Sequence, residues 1–265
     1  MSSNPLILGI DIEGVGLDLS ITGSPDHRVD RVMEIGAVLW DWEFQQPARL
    51  LSELINEADR MNVSEDLEQL TGLNDKILDR WGKKGAEIKT VLERLSELVH
   101  QADYLMAHNG NHYDRPMLEE MFKRYNMKFP EKTWIDSMVD IEYPPKIPQR
   151  SLAMLEYSHG FINPFPHRAL TDVLSMLKIA SQYPIDRIIS LAKSPMVRVV
   201  ANLKAPQWSD RAQVDAFNKV KHKVARSKFK WNPDNKTWYK DVHKVLLDEG
   251  KYHFDFEWTI EKIEK

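Results

Sequence analysis

Apolar and polar positions along the chain switch between a period of two and a period near 3.6, and the order of the switches lays out an α/β fold. Residues 5–10 are a short apolar run that stops at Asp11 and reads as a buried central strand; residues 33–40 read as a second strand. Residues 46–56 are ambiguous. The spacing of Leu50, Leu51, Leu54 and Ile55 favours a helix, whereas a strand there would complete a three-stranded meander. Residues 67–78 read as short helices broken at Thr71-Gly72, and Ile88, Val91, Leu92, Leu95, Leu98 and Val99 form one stripe at helical spacing. A strand over 104–107 runs into the turn-rich His108-Asn109-Gly110-Asn111. Asp114 opens the next helix, with Pro116 in a first turn that needs no amide donor. A fifth strand is expected at 134–138 and helices over 150–159, 168–182 and 184–193. A strand meander followed by β-α-β-α alternation predicts a mixed sheet covered by helices, a domain over residues 1–192.

Residues 197–265 change character and predict a small α+β appendage. Residues 197–203 alternate like a strand, 210–225 like a helix with a basic face, 229–239 like an aromatic hairpin around a Pro/Asp/Asn turn, and 253–260 like a closing strand.

Composition narrows the class. A chain of 265 residues with 42% hydrophobic positions has ample material for a core, and the absence of cysteine excludes disulfides, thiolate zinc sites and a thiol nucleophile. The first residues lack a basic segment followed by a long apolar run, and no apolar stretch approaches ~20 residues, so the cytoplasm is the expected setting. The net charge of −4 says little, but its distribution says more: residues 197–265 hold 15 Lys and Arg against 10 Asp and Glu, leaving 21 against 30 in residues 1–196. An acidic body with a basic tail suits a metal-binding domain joined to something that meets phosphates.

The chemistry-bearing residues fall in three segments. Asp11 and Glu13 lie two apart on a strand, so both point to one face, at the strand end where α/β sheets place their sites. Two carboxylates side by side repel, and a divalent cation relieves that repulsion; a solvated acidic pair is the plain alternative. Asp114, at a helix start after another strand, reads equally as a helix cap or as a third acidic ligand. His167 and Asp172, five apart after Pro164 and Pro166, would face one cleft from a loop and a helix, or be an ordinary surface pair. A histidine there could take a proton from a metal-bound water. Gly14 and Gly16 permit close approach of backbone to a ligand or a sharp turn, and Leu17 reads as a surface residue or as a wedge against a base.

Taken in order, these segments resemble the DEDDh 3′→5′ exonucleases, the DnaQ-like group that contains the proofreading epsilon subunit of bacterial replicases. Asp11-Ile12-Glu13-Gly14-Val15-Gly16-Leu17 is similar to the first motif of that family, Glu34-Ile35-Gly36-Ala37-Val38 to its second strand, and Leu70-Thr71-Gly72-Leu73 to its Thr-Gly turn. Ala107-His108-Asn109 through Asp114 resembles the second motif, Ile135-Asp136-Ser137 the following strand, and His167-Arg168-Ala169-Leu170-Thr171-Asp172 the third motif. The resemblance spans residues 6–180 and implies an RNase H-like fold: a five-stranded mixed sheet with one antiparallel strand, flanked by helices. It implies that Asp11, Glu13, Asp114 and Asp172 hold two Mg²⁺ or Mn²⁺ ions and that His167 is the general base. It further implies that Gly14, Gly16, Leu17, His108 and Asn109 meet the substrate, and that Asp136 is structural. Two departures stand out. Gly14-Val15 replaces the family's Thr-Thr, removing a hydroxyl, and Asp114 lies six residues after His108 rather than five.

The expected activity is metal-dependent release of nucleoside 5′-monophosphates from DNA 3′ ends, by a free-standing enzyme or a partner of replication or repair proteins. RNA trimming and an inactive nucleic-acid-binding module are the alternatives. In the tail, Lys228, Lys230, Trp231, Lys236 and Trp238 would bind single strands through phosphate contacts and stacking, or else the aromatics are the core of a small domain and the lysines its wet face.

Overall fold

A computed structural model describes residues 4–16 and 26–263. The chain divides into two compact units, Met1–Ala192 and Lys193–Lys265.

In the first unit β1 (Leu6–Val15), β2 (Arg31–Asp41) and β3 (Gln46–Leu54) form an antiparallel meander. After helices α1 (Glu65–Thr71), α2 (Asp75–Trp81) and α3 (Ala86–Gln101), β4 (Tyr104–Ala107) adds parallel to β1; α4 (Asp114–Arg124) leads to β5 (Trp134–Asp136), parallel to β4. Helices α5 (Leu152–Ser158), α6 (Ala169–Ala180) and α7 (Ile185–Lys193) follow. The strand order is β3-β2-β1-β4-β5, so β2 is the antiparallel strand, as expected.

The period-2 alternation of β1 sorts the core into two layers. Leu8, Ile10 and Ile12 pack with Ile88, Leu92 and Leu95 of α3 and Met117 and Met121 of α4. Ile7 faces the other layer with Val173, Met176 and Leu177 of α6. Gly9 lies on this side too: a Cβ there would meet Leu177 Cδ1 at 2.7 Å and Val173 Cγ1 at 2.8 Å, so α6 presses directly on β1. Gly36 on β2 likewise abuts the backbone of Ala169 at the start of α6.

The helical reading of 46–56 is overturned. Of its four apolar residues only Leu51 and Ile55 are buried, and Leu50 is 50% exposed. Pairing along β2, with Leu51 opposite Ala37, outweighs the helical spacing. Among described helices none is long and apolar enough to cross a membrane.

In the second unit β6 (Met196–Ala201), α8 (Arg211–Arg226), β7 (Lys230–Asn232), β8 (Thr237–His243), α9 (Lys244–Asp248) and β9 (Trp258–Lys262) build an antiparallel sheet of order β7-β8-β6-β9. Asp210 caps α8 through Ala212 and Gln213 amides. The closing strand is shorter and later than expected. Phe254 and Phe256 alternate as a strand would, but are spent packing on Phe229, with ring centroids at 5.1 and 5.4 Å. The short α9 had no sequence signal that distinguished it from the strand before it.

Candidate active site

Asp11 and Glu13 continue the row of Ile7 and Gly9 on β1, and therefore point to the face that carries α6. Directly after Glu13 the β1–β2 register shifts, a bulge that ends regular pairing beside the two carboxylates. From α6 comes Asp172, and from the loop before it His167. One ligand atom each of Glu13, His167 and Asp172 lies within 4.8 Å of the others. His167 is exposed and has φ of 60°, a left-handed conformation that L residues adopt at a cost. Its backbone amide donates to Asp172 Oδ2 at 3.2 Å, which ties the loop to the acid.

Asp114 stands beside the strand acids. It is 2% exposed, and its Oδ1 accepts the amide of Ile12, between Asp11 and Glu13, at 3.1 Å. The residue at the cap position of α4 is Tyr113, so Asp114 is not occupied as that cap. The additional residue between His108 and Asp114 is absorbed by a tight turn: Asn109 takes φ of 62°, and the His112 and Arg115 amides donate to the Asn109 and Gly110 carbonyls.

Electrostatics bind the four acids into one group. Burial, with Asp114, Glu13, Asp172 and Glu34 around it, holds the Asp11 carboxyl well above the usual carboxylate range. Burial, then Asp172, Glu34 and Asp114, pushes Glu13 up to about 8, with Arg168 pulling the other way. Asp114 rises to about 7 through burial, against its backbone hydrogen bonds, and Asp172 to about 6 through burial, against its bonds from Asn163 and His167. Carboxylates crowded at this depth are stabilised in their charged form by a cation. An all-oxygen donor set suits a hard divalent ion such as Mg²⁺ or Mn²⁺, so these residues fit the expected metal.

Several supporting residues escaped the sequence reading. Glu34, opposite Glu13 on β2, is buried and holds Arg168 bidentately at 2.8 and 2.9 Å, while accepting the Ala169 amide at 3.2 Å. It thereby pins the residue next to His167. Asn163 Nδ2 donates to Asp172 Oδ1 at 2.6 Å and to Glu156 Oε1 at 3.1 Å. Tyr113 places its hydroxyl against the point where a Cβ on Gly14 would stand, so position 14 has no room for a side chain.

Gly14 and Gly16 stand at the end of β1, and a Cβ on Gly16 would collide with the Asp30 carboxylate. Leu17 lies outside the described residues. His108 is half-buried, its Nδ1 within 2.9 Å of Ser137 Oγ and its Nε2 buried without a hydrogen bond among the described residues; burial lowers its pKa. Asn109 offers its backbone amide to Asp136 Oδ1 at 2.9 Å. Asp136 also accepts the Met138 amide, so its carboxylate is spent on holding these turns.

Comparison with known proteins bears on the same span. The family model described as Exonuclease matches residues 8–180. No curated protein sequence matches the chain. Among solved structures, the nuclease domain of 3′hExo, a DEDDh family member bound to rAMP, is similar at 18% identity and a TM-score of 0.54, over 68% of this chain and 92% of that one. A 3′-exonuclease that recognises the 3′ end of a histone mRNA stem-loop shares 20% identity with a TM-score of 0.53, over 69% and 82%. Escherichia coli exonuclease I in complex with a dA16 oligonucleotide shares 15% identity with a TM-score of 0.57, over 75% of this chain but 48% of its own. These likenesses establish the RNase H-like fold of the first unit.

Proposed function

This chain belongs to the exonuclease family, and from that premise we propose that it is a DEDDh-type, divalent-metal-dependent 3′→5′ exonuclease acting on DNA and releasing nucleoside 5′-monophosphates. The observation that carries the reading is the cluster of Glu13, His167 and Asp172, with ligand atoms within 4.8 Å of one another, beside Asp11 on the same face of β1 and Asp114 bonded to the Ile12 amide between the two strand acids.

Asp11, Glu13, Asp114 and Asp172 would hold two divalent ions. Such ions, when bound, neutralise the scissile phosphate and acidify a coordinated water. The protein's part is positioning and proton transfer. His167 accepts the proton of the attacking water through its exposed imidazole. Asp172 and Asn163 fix the loop and the carboxylate beside it. Arg168, locked to Glu34, sets the start of α6 against β2, so that the His167 loop and Asp172 move together. The buried setting of Asp114 keeps one acid from rotating towards solvent.

DNA is the proposed substrate, and the solved relatives include both an RNA stem-loop binder and an oligodeoxynucleotide complex. Asp11→Ala and His167→Ala tests the site assignment. His167→Ala is expected to lose at least about 100-fold in turnover of single-stranded DNA, the lower end of a general-base contribution, and Asp11→Ala, which removes a metal ligand, is expected to lose at least as much, both with melting temperatures no lower than the wild type. Wild-type-like hydrolysis by either variant overturns the assignment, and faster hydrolysis of the matched RNA overturns the substrate.

A further inference from the structure

The second unit carries a surface that the active site does not explain. Residues 217–244 hold nine Lys and Arg against two acids. Packing and pairing account for some of them. Lys240 Nζ donates to the Ser227 carbonyl at 3.0 Å, Lys244 pairs with Asp248 at 2.7 Å, and Lys223 approaches Asp255 at 3.9 Å. Lys219, Lys221, Arg226, Lys228, Lys230 and Lys236 are exposed and have no ion-pair partner among the described residues. Arg226 lies at the C-terminus of α8, where a cation is favoured for the helix alone. That explanation does not reach Lys228, Lys230 or Lys236.

The aromatics sort in the same region. Phe229 is buried in the core of the unit with Val224 and Val242, and Trp238 packs half-buried against it. Trp231, directly opposite Trp238 in the hairpin, stays 47% exposed, its ring 5.5 Å from that of Trp238 and tilted by 53°. Trp231 is therefore backed by a fixed ring on one side and open on the other. The corner at Ser227-Lys228 leads α8 straight into β7, with the Phe229 amide donating to Val224 O, and Lys240 ties that corner to β8. Lys228 and Lys230 precede Trp231 along the chain and Lys236 stands in the turn that closes the hairpin, so exposed cations flank one supported, exposed indole in sequence, with Lys230 on the opposite face of β7.

We propose that this hairpin corner, Trp231 backed by Trp238 with the exposed Arg226, Lys228, Lys230 and Lys236 along the same stretch of chain, is a binding surface for single-stranded nucleic acid. Unpaired bases stack on the open indole face, and the lysines neutralise phosphates on either side without reading sequence. The proposal deepens the exonuclease reading, on which it rests only for the biological substrate. It adds a second point of contact, away from the catalytic carboxylates in the sequence, that would hold the strand being shortened.

The test uses the full chain in two assays. Binding of fluorescein-labelled dT20 and rU20 is measured in EDTA between 50 and 200 mM salt. Hydrolysis of the p-nitrophenyl ester of thymidine 5′-monophosphate, which offers a single nucleotide and no strand, is measured with Mg²⁺. Trp231→Ala is expected to weaken dT20 binding about 5- to 150-fold, and Trp231→Phe to restore most of it. Lys228→Gln with Lys230→Gln and Lys236→Gln is expected to flatten the log–log salt slope by about 2. Small-substrate turnover stays at the wild-type level in each. Unchanged oligonucleotide affinity and salt slope overturn the proposal and leave the patch to a protein partner. Equal losses in both assays also overturn it, since they assign the patch to folding. Absence of small-substrate hydrolysis in the wild type would instead count against the nuclease reading, while the binding assay still decides the surface.

Discussion

Gly14 and Tyr113 form a steric pair whose removal can be worked out atom by atom. A Cβ at position 14 would overlap the Tyr113 hydroxyl, whereas the next nearest atom of that ring, Cζ, stands at 3.4 Å, an ordinary contact. Gly14 does not lie at positive φ, so Gly14→Ala introduces a clash without backbone strain. Overpacking of this kind costs about 1–3 kcal/mol. For a unit of this size, that is a fall in melting temperature of about 2–4 °C per kcal/mol. Tyr113→Phe removes the obstructing oxygen and leaves the ring in place. Gly14→Ala combined with Tyr113→Phe is therefore expected to recover most of the lost stability, a coupling within the usual 0.5–3 kcal/mol of touching residues. Thermal melts of the wild type, both single variants and the double variant, read together in one buffer containing EDTA, give the cycle. A Gly14→Ala protein as stable as wild type, or a double variant as unstable as Gly14→Ala, would show that the two groups do not clash. The same pair explains why a threonine hydroxyl at position 14 is not compatible with this arrangement.

Three further outcomes follow from the site. Arg168→Ala strands the buried Glu34 carboxylate and is expected to cost about 3–5 kcal/mol, with much of it recovered by adding Glu34→Gln; chemical denaturation of the four proteins checks this. Asn163→Ala releases Asp172 and is expected to raise the Mg²⁺ concentration for half-maximal activity about 10- to 100-fold with little change in melting temperature. Glu13, Asp114 and Asp172 have folded-state values of about 8, 7 and 6, all above the ordinary carboxylate range, so the native protein binds these protons more tightly than the unfolded chain. Their contribution to stability is then present below about pH 4 and lost as pH rises through 6 to 8. In EDTA the melting temperature should fall from pH 6 to pH 9, and the increment gained on adding Mg²⁺ should grow over the same range; a flat or rising profile in EDTA contradicts it.

The fold was legible wherever one period dominated. The apolar run into Asp11, the helical stripe from Ile88 to Val99 and the hairpin around Pro233 all predicted their elements. Residues 46–56 were not legible, because Leu50, Leu51, Leu54 and Ile55 satisfy a helical spacing while the pairing that decides the matter lies on β2. Phe254 and Phe256 misled in the opposite way: their alternation reflects packing on Phe229 rather than a ladder. In the site, Asp114 looked the same as a helix cap until the Ile12 amide, 102 residues away, supplied its partner. Glu34 and Arg168 carried no joint signal because 134 residues separate them. The steric pairing of Tyr113 with Gly14, 99 residues apart, carried no sequence signal either.

The most direct test of the central claim incubates the protein with a 5′-labelled single-stranded oligodeoxynucleotide in Mg²⁺ or in EDTA and separates the products by length. A 3′→5′ exonuclease with this metal site gives a Mg²⁺-dependent ladder of 5′-labelled fragments that shorten one nucleotide at a time, with nucleoside 5′-monophosphates released and nothing cut in EDTA. Immediate appearance of labelled mononucleotide from an otherwise intact strand, internal cleavage, or cutting that persists in EDTA would contradict it.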